Sequence, residues 1–318
     1  MSTGSAKPIA LTCGDPAGVG PEVILRWLEE NPRAAAQVCL IGPGSWLEAA
    51  RAAVDPAITT VEVGEAGYRA TPGQPDDPGA RCAMEALDVA SSGCVEGDFR
   101  AVVTGPISKA RFKALGYDFP GQTEFFAACW NGRPTMAFAG GRLRVILATW
   151  HIPFSEVPAA LDEATLTLAC ERADWLARAL GAESPRIALC GLNPHASEGG
   201  ILGTDETVRL DPIAEKIRER LPGLSRCLPA DTVFHRQLQG EFDAVVALYH
   251  DQGLAPLKTL EFDQAVNLTL GLPYIRTSPD HGTGFDIAGR GLARHTSFGN
   301  AVELADRLAK ALAQTSDD

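Results

Sequence analysis

Short apolar runs alternate with stretches of helical periodicity along almost the whole chain. "PIALTC" (8–13) leads through a glycine- and proline-containing turn to a helix predicted from about Pro21, a residue suited to a first helical turn. "VCLIG" (38–42) precedes "SWLEAARAAV", for which Ser45 is the predicted N-cap. "AVVTGP" (101–106) precedes "SKARFKAL", and "LRVILATW" (143–150) precedes a helical stretch over 158–180. "RIALCGLN" (186–193), "AVVALYH" (244–250) and "AVNLTLGLPYIRTS" (265–278) are further apolar runs, and "NAVELADRLAKAL" (300–312) reads as an amphipathic terminal helix. "TPGQPDDPGA" (71–80) reads as a loop. This alternation predicts an α/β fold on a largely parallel sheet. The length, 318 residues, allows two domains or one large one.

In open α/β sheets ligands bind beyond the carboxyl ends of the strands. The apolar runs here end in "CGDPAGVGPE", "TGPISK", "WHIP", "GLNPHASEGG", "YHDQGLAPLK" and "RTSPDHGTGFD", and four of these carry an imidazole. His151, His195 and His250 follow their runs directly or within a few residues. Imidazole suits Zn²⁺ and other first-row divalent ions, and three histidines with open positions are typical of a catalytic metal site. The same placement also suits three separate hydrogen-bonded histidines at a domain edge, since no short metal motif such as HExxH is present. In "YHDQGLAPLK", Gly253 predicts a turn that brings Lys258 towards His250. Lys258, Asn267 and Arg276 flank one apolar run and together suit a phosphate or carboxylate. Arg276 in particular would be costly to bury unless paired. "DPAGVGPE" reads either as an anion-receiving helix start or as a tight strand-to-helix turn. His281 orients other groups or is structural, and His235 and His295 read as surface residues. Neither GxGxxG nor GxxxxGK[ST] occurs, so the usual dinucleotide and P-loop fingerprints are unsupported.

Charge and cysteine usage narrow the partners. A formal net charge of −12 argues against nucleic acid or a membrane surface, both of which are anionic. It leaves room for an anionic small molecule in a locally basic pocket. None of the eight cysteines forms a CxxC pair, and they read as reduced, buried residues of a cytoplasmic protein. The stretch "MSTGSAKPIALTCGDPAG" does not read as a signal peptide, and no apolar run is long enough to span a bilayer.

"GDPAGVGPE", "VTGPISK", "GQTEFFA", "GLNPHASEGG", "PADTVF", "YHDQGLAPLK" and "RTSPDHGTGFDIAGRG" together resemble the 4-hydroxythreonine-4-phosphate dehydrogenase family of pyridoxal phosphate biosynthesis, over residues 14–291. The resemblance implies an isocitrate/isopropylmalate dehydrogenase-like fold: two α/β domains with a cleft between them. We expect 1–122 with 284–318 in one domain, and 123–283 in a second that carries a dimer interface. It implies an NAD- or NADP-dependent oxidoreductase that requires a divalent metal (Zn, Mg or Co). The metal ligands would be His151, His195 and His250, drawn from both subunits of a homodimer. Substrate contacts would be Gln122, Thr123, Lys258, Asn267 and Arg276, with Lys258 and Asp231 as candidate bases. Cofactor-binding positions are not assigned. The implied reaction oxidises 4-phosphohydroxy-L-threonine to 2-amino-3-oxo-4-phosphooxybutanoate, which loses CO₂ to give 3-amino-2-oxopropyl phosphate. Many members read "GHTEFF" where this chain reads "GQTEFF". Relatives oxidise other phosphorylated hydroxy acids, such as phosphothreonate or phosphoerythronate, or aromatic cis-diols. The rivals from other classes are a histidine-metal hydrolase, a phosphate-acyl transferase and a non-catalytic binding protein.

Overall fold

Strands buried on both faces must be apolar at nearly every position, and the shortest apolar runs of this chain become such strands. The computed structural model describes residues 7–316, so part of the stretch weighed as a signal peptide lies outside the described residues. Residues up to Pro134, together with those from Leu272 onward, form one compact unit, and Thr135–Gly271 form the other.

The first unit begins with β1 (Ile9–Thr12), α1 (Gly20–Glu30), β2 (Val38–Gly42), α2 (Gly44–Ala53) and β3 (Thr59–Glu62). It continues with α3 (Asp77–Glu96), β4 (Ala101–Thr104), α4 (Lys109–Ala114) and α5 (Gln122–Cys129). Ser45 is not the N-cap of α2. The helix starts one residue earlier, from extended Pro43, and the Ser45 hydroxyl instead donates to the Tyr68 carbonyl at 2.9 Å. The stretch read as a loop over 71–80 ends early for a similar reason. The Asp76 carboxylate accepts from the Gly79 N–H at 2.8 Å and caps α3, with proline in the first turn. This helix packs on β1, β2 and β4. Beneath it a core joins Ala10, Ile41 and Val102 of the strands to Phe126 and Trp130 of the α5 region. Each large side chain fully buried there contributes about 1.5–3 kcal/mol.

The second unit contains β5 (Thr135–Ala139), β6 (Arg144–Leu147), α6 (Val157–Ala160), α7 (Glu163–Ala179) and β7 (Ile187–Cys190). After these come α8 (Asp211–Arg218), β8 (Leu224–Leu228), α9 (Ala230–Leu238), β9 (Ala244–Ala247), α10 (His250–Glu261) and β10 (Val266–Leu270). The helical stretch read over 158–180 is split by Asp162, whose carboxylate caps α7 by accepting from the Thr165 N–H at 2.8 Å. The apolar run 265–278 is also two elements. It breaks at Gly271 (φ 83°), and β11 (Ile275–Pro279) with the terminal helix α11 (Thr296–Ser316) belongs to the first unit.

In the first unit the strand order is β3-β2-β1-β4-β11 with every pairing parallel. In the second it is β10-β5-β6-β9-β7-β8, where β5 runs antiparallel to β10 and to β6, and the remaining pairs are parallel. No helix of the described residues is long and apolar enough to cross a membrane. Seven cysteines are buried, but Cys129 is exposed at the end of α5.

Candidate active site

The strand order of the first unit reverses at β1, with β2 on one side and β4 on the other. The loops after β1 and β4 therefore form a topological switch point, where ligands bind in such sheets. These loops touch backbone to backbone: the Asp15 N–H donates to the Pro106 carbonyl at 2.9 Å. Gly14 makes this approach feasible, because its φ is 71° and a Cβ there would lie 2.4 Å from the Pro106 oxygen. "DPAGVGPE" proves to be a tight turn. Its Ala17, Gly18 and Val19 N–H groups donate to Asp15 Oδ1, the Asp15 carbonyl and the Thr283 carbonyl at 3.1, 2.9 and 2.8 Å. The turn nevertheless leaves polar atoms unused. Asp15 is wholly buried, its Oδ2 has no hydrogen-bond partner among the described residues, and burial raises its pKa. Glu22 Oε2 accepts from the Gly289 N–H at 2.7 Å, while buried Glu22 Oε1 and His281 Nε2 likewise find no hydrogen-bond partner.

Arg276 stands on β11 beside β4 and is 4% exposed. Its Nε and one terminal nitrogen donate to Thr104 Oγ1 at 3.3 and 2.8 Å, and that terminal nitrogen also donates to Gln122 Oε1 at 3.0 Å. Gln122 Nε2 donates to the Gly105 carbonyl at 3.2 Å, so the amide bridges the β4 loop and the guanidinium. Thr104 and Gln122 are neutral, and the charge of Glu124 also acts on the guanidinium. Burial lowers its pKa to about 10, which still keeps it cationic near neutral pH. Thr123 is buried in the first turn of α5. Lys258 and Asn267, read alongside Arg276 as one anion-holding group, belong to the second unit.

In the second unit three neighbouring parallel strands, β6, β9 and β7, each run out into a histidine. The His151 and His250 rings lie 5.8 Å apart between centroids. His195 follows β7 in a loop of left-handed backbone: φ is 51°, 51°, 67° and 44° for His195, Ala196, Ser197 and Glu198, and 68° for Gly199. His151 is left-handed too, at 52°. Such a conformation costs a non-glycine residue roughly 1–2 kcal/mol and persists where surrounding structure over-determines it. His195 Nδ1 lies 2.9 Å from Glu198 Oε2, and His250 Nδ1 lies 2.7 Å from Asp251 Oδ1. A carboxylate on Nδ1 holds the proton there and turns the Nε2 lone pair outward, as second partners of metal-binding histidines do. The Glu198 hydrogen bond also raises the His195 pKa.

Gly253 is not a turn residue. It lies inside α10, which starts at His250 itself, and a Cβ there would sit 2.6 Å from Val145 Cγ1 and 3.0 Å from Ala247 Cβ. Glycine lets the helix settle on β6 and β9. Lys258 reaches the His250 side along the helix rather than across a turn: the two line one hollow with Asp251, Leu254, Ala255 and Thr259. Gln252 ties the strand ends together by accepting from the Leu248 N–H and donating to the Gly191 carbonyl, both at 2.7 Å. Asp231 is exposed at the start of α9 and lines, with His235 and Tyr249, a hollow that adjoins the Lys258 hollow through Asp251 and Ala255; its charge also acts on His195. His295, read as a surface residue, has a side chain only 21% exposed and lies 3.1 Å from Glu30.

No group of three or more His, Cys, Asp or Glu side chains able to hold a metal ion is found among the described residues. His151 and His250 are neighbours, and His195 does not complete a set with them. The imidazoles suit a divalent metal by donor type, and those of His195 and His250 also by their carboxylate-anchored Nδ1 atoms, but as a partial ligand set. The uncommitted oxygens of Asp15 and Glu22 and the ring nitrogen of His281, set among glycine-rich loops, suit a ligand rich in hydroxyl and N–H donors, as a nicotinamide dinucleotide is. Thr104, Glu198 and Asp15 were not singled out in the sequence. The i, i+3 spacing of Glu198 from His195 is the one local signal that could have marked it.

A largely parallel α/β sheet with a buried guanidinium at one set of strand ends and imidazoles at another is the architecture of an α/β metabolic enzyme, and comparison with known proteins gives its class. Residues 28–305 match the family model of the pyridoxal phosphate biosynthetic protein PdxA. The 4-hydroxythreonine-4-phosphate dehydrogenase of Synechocystis is 41% identical, with 97% of each chain covered. The crystal structure of the Klebsiella pneumoniae 4-hydroxythreonine-4-phosphate dehydrogenase aligns with 96% of this chain and 100% of its own at TM-score 0.81 and 34% identity. An isocitrate dehydrogenase from Methylococcus capsulatus shares only the fold, at TM-score 0.50 and 15% identity over 98% of this chain and 89% of its own. The chain belongs to the PdxA family of 4-hydroxythreonine-4-phosphate dehydrogenases and is an oxidoreductase.

Proposed function

We propose that this enzyme oxidises the C3 hydroxyl of 4-phosphohydroxy-L-threonine, giving 2-amino-3-oxo-4-phosphooxybutanoate, which loses CO₂ to 3-amino-2-oxopropyl phosphate in pyridoxine 5'-phosphate synthesis. The observation that carries the substrate assignment is the buried Arg276, oriented by Thr104 and Gln122 at the strand ends of the first unit. A guanidinium held in this way suits a phosphate dianion. Thr123, at the same helix start as Gln122, offers a hydroxyl to the same group; Lys258 and Asn267, the other substrate positions that the resemblance implies, belong to the second unit.

A divalent metal, when bound, makes the substrate hydroxyl easier to deprotonate and later draws electrons from the ketone, while NAD or NADP, when bound, accepts the hydride. His151, His195 and His250 would hold the metal through nitrogens turned outward. Asp15, Glu22 and His281 would hold the dinucleotide. Lys258, which shares a hollow with His250, and Asp231, whose hollow adjoins it and whose charge acts on His195, are the candidates to take the hydroxyl proton and to return one to the carbon that loses CO₂.

The metal set would be completed by a second copy of the chain. Most of the exposed large apolar side chains of the described residues belong to the histidine-bearing unit: Ile152 and Phe154 follow His151, Ile201 and Leu202 follow His195, and Phe262 ends the helix that His250 begins. Exposed apolar side chains beside the histidines suit association with a second copy. The eight free cysteines suit a reducing cytoplasm.

A coupled assay with 4-phosphohydroxythreonine, NAD and a divalent metal tests the reaction. NADH and CO₂ should appear in equal amounts; NADH alone would remove the decarboxylation step. The same charge would hold other phosphorylated hydroxy acids, so phosphothreonate and phosphoerythronate belong in that assay. Absence of NADH from all of them would overturn the assignment. Subunit exchange between His→Ala variants at 151, 195 and 250 tests the shared site. At least one pairing should recover activity, up to about a quarter of the sites for random dimers.

A further inference from the structure

The loop that carries His195 adopts a backbone its sequence does not favour, and one buried side chain holds it there. Glu206 is wholly buried and begins a single π-helical turn, Glu206–Leu210, a feature frequent at functional sites. Its carboxylate accepts from the Leu192 and Asn193 N–H groups, both at 2.7 Å, from Asn193 Nδ2 at 2.9 Å, and from the Ser197 hydroxyl. Leu192 and Asn193 lie just before His195, and Ser197 lies in the middle of the left-handed stretch, so one carboxylate ties the entry of that stretch to its centre. The surroundings are shaped for this. A Cβ on Gly191 would lie 3.2 Å from Glu206 Oε1 and 2.9 Å from Ala196 Cβ, and one on Gly203 would lie 2.8 Å from the Asn193 amide. The nearby cation is engaged elsewhere: Arg209 donates to Asp205 and to the Pro158 and Leu161 carbonyls. Glu206 is therefore held by four neutral donors, all in the loop that it shapes.

We propose that Glu206 is a positioning residue for His195: its buried carboxylate offsets the cost of the left-handed loop and so aims the outward imidazole nitrogen at its ligand. The choice of a divalent metal as that ligand rests on the function proposed above, whereas the clamp itself does not. Glu198 complements it. Glu198 fixes the ring and its tautomer, and Glu206 fixes the backbone that carries the ring.

The test uses the full-length chain. Glu206→Gln keeps the volume and the acceptor facing the two backbone N–H groups, but it sets an NH₂ against the Asn193 amide and the Ser197 hydroxyl. In the metal-free protein, amide exchange at residues 192–203 should quicken by about tenfold or more while exchange in the strands is unchanged. Titration with Co²⁺ alone should show affinity weakened about 10–100-fold, the usual effect of losing a partner behind a ligand. Adding Ala196→Gly, which removes the left-handed penalty at that position, should recover most of both losses; a role in general fold stability predicts no such rescue. Unchanged exchange, or no rescue by the glycine, would overturn the clamp. Should Glu206→Gln not fold, Ser197→Ala removes one of the four bonds and should move both readouts the same way by less; no movement overturns the proposal. His195→Ala separates the two readings. If it leaves Co²⁺ affinity intact, His195 is not a ligand, and the exchange data alone then decide the clamp.

Discussion

The two polar sites are built in opposite ways. In the first unit Arg276 is buried, carries three hydrogen bonds to neutral side chains, and stands on a strand whose neighbour supplies the first of them. All of that is finished within one chain. In the second unit His195 and His250 have side chains 60% and 40% exposed, and each imidazole has a carboxylate behind it. The three histidines do not close into a metal set within the chain. The physical reason lies in what each ligand class demands. On the function proposed above, a phosphate would be met by a charge fixed before it arrives, which burial and the bonds to Thr104 and Gln122 provide. A metal needs several donors at fixed angles and an open position, and ligands from a second chain can supply what one sheet edge lacks.

Four substitutions test this contrast, taken here from the largest expected effect to the smallest. His250→Ala should lower kcat by roughly 10³-fold or more, yet leave unfolding within about 0.5 kcal/mol, since the side chain is partly exposed and packs little. Kinetics and thermal melting on one preparation check it; equal losses of both would make His250 structural.

Arg276→Lys should cost about 1.5–3 kcal/mol in kcat/KM, the worth of hydrogen bonds to a charged group, because an ammonium cannot span Thr104 and Gln122 while forking onto phosphate. An unchanged kcat/KM would mean that the pocket binds no anion.

Gly253→Ala drives a methyl to within 2.6 Å of Val145. Overpacking of this kind costs about 1–3 kcal/mol, against roughly 1 kcal/mol regained from helix propensity. The melting temperature should fall and kcat with it, because α10 starts at His250. A fall in melting temperature alone would show that the seat of α10 does not position the imidazole.

Asp15→Asn should have the smallest effect and the opposite sign. Burial raises the pKa of this acid in the folded state. Its contribution to stability is thus complete below the ordinary carboxylate pKa and is lost as pH rises through the folded value. The uncharged amide should therefore stabilise the protein near pH 7, seen as a rise in Tm, and the gain should fade as the pH falls below the ordinary carboxylate range. Weaker NAD binding alongside that gain would mark Asp15 as a cofactor contact; a gain with no change in NAD binding would remove it from the site.

The sequence by itself determined the strands and the places where chemistry sits. Continuous apolar runs such as "AVVALYH" have one stable fate, a strand covered on both faces, and polar residues directly after them must lie at a strand end. That made His151, His195 and His250 legible, while Arg276, inside an apolar run, stood out because a buried charge is costly unless paired. Tertiary structure decided what those residues are given to work with. Arg276 meets Thr104 and Gln122 only because β4 lies next to β11, 172 residues away in sequence. Gly253 looks like a turn and is a packing contact, because local sequence carries no record of the Val145 methyl above it. The left-handed loop at His195 runs against local preference at four residues and is held by Glu206, a carboxylate whose burial depends on the fold around it. Hydrophobic period is a local property, so it is written in the chain. Partnership between distant polar groups follows from strand order, so it waits for the fold.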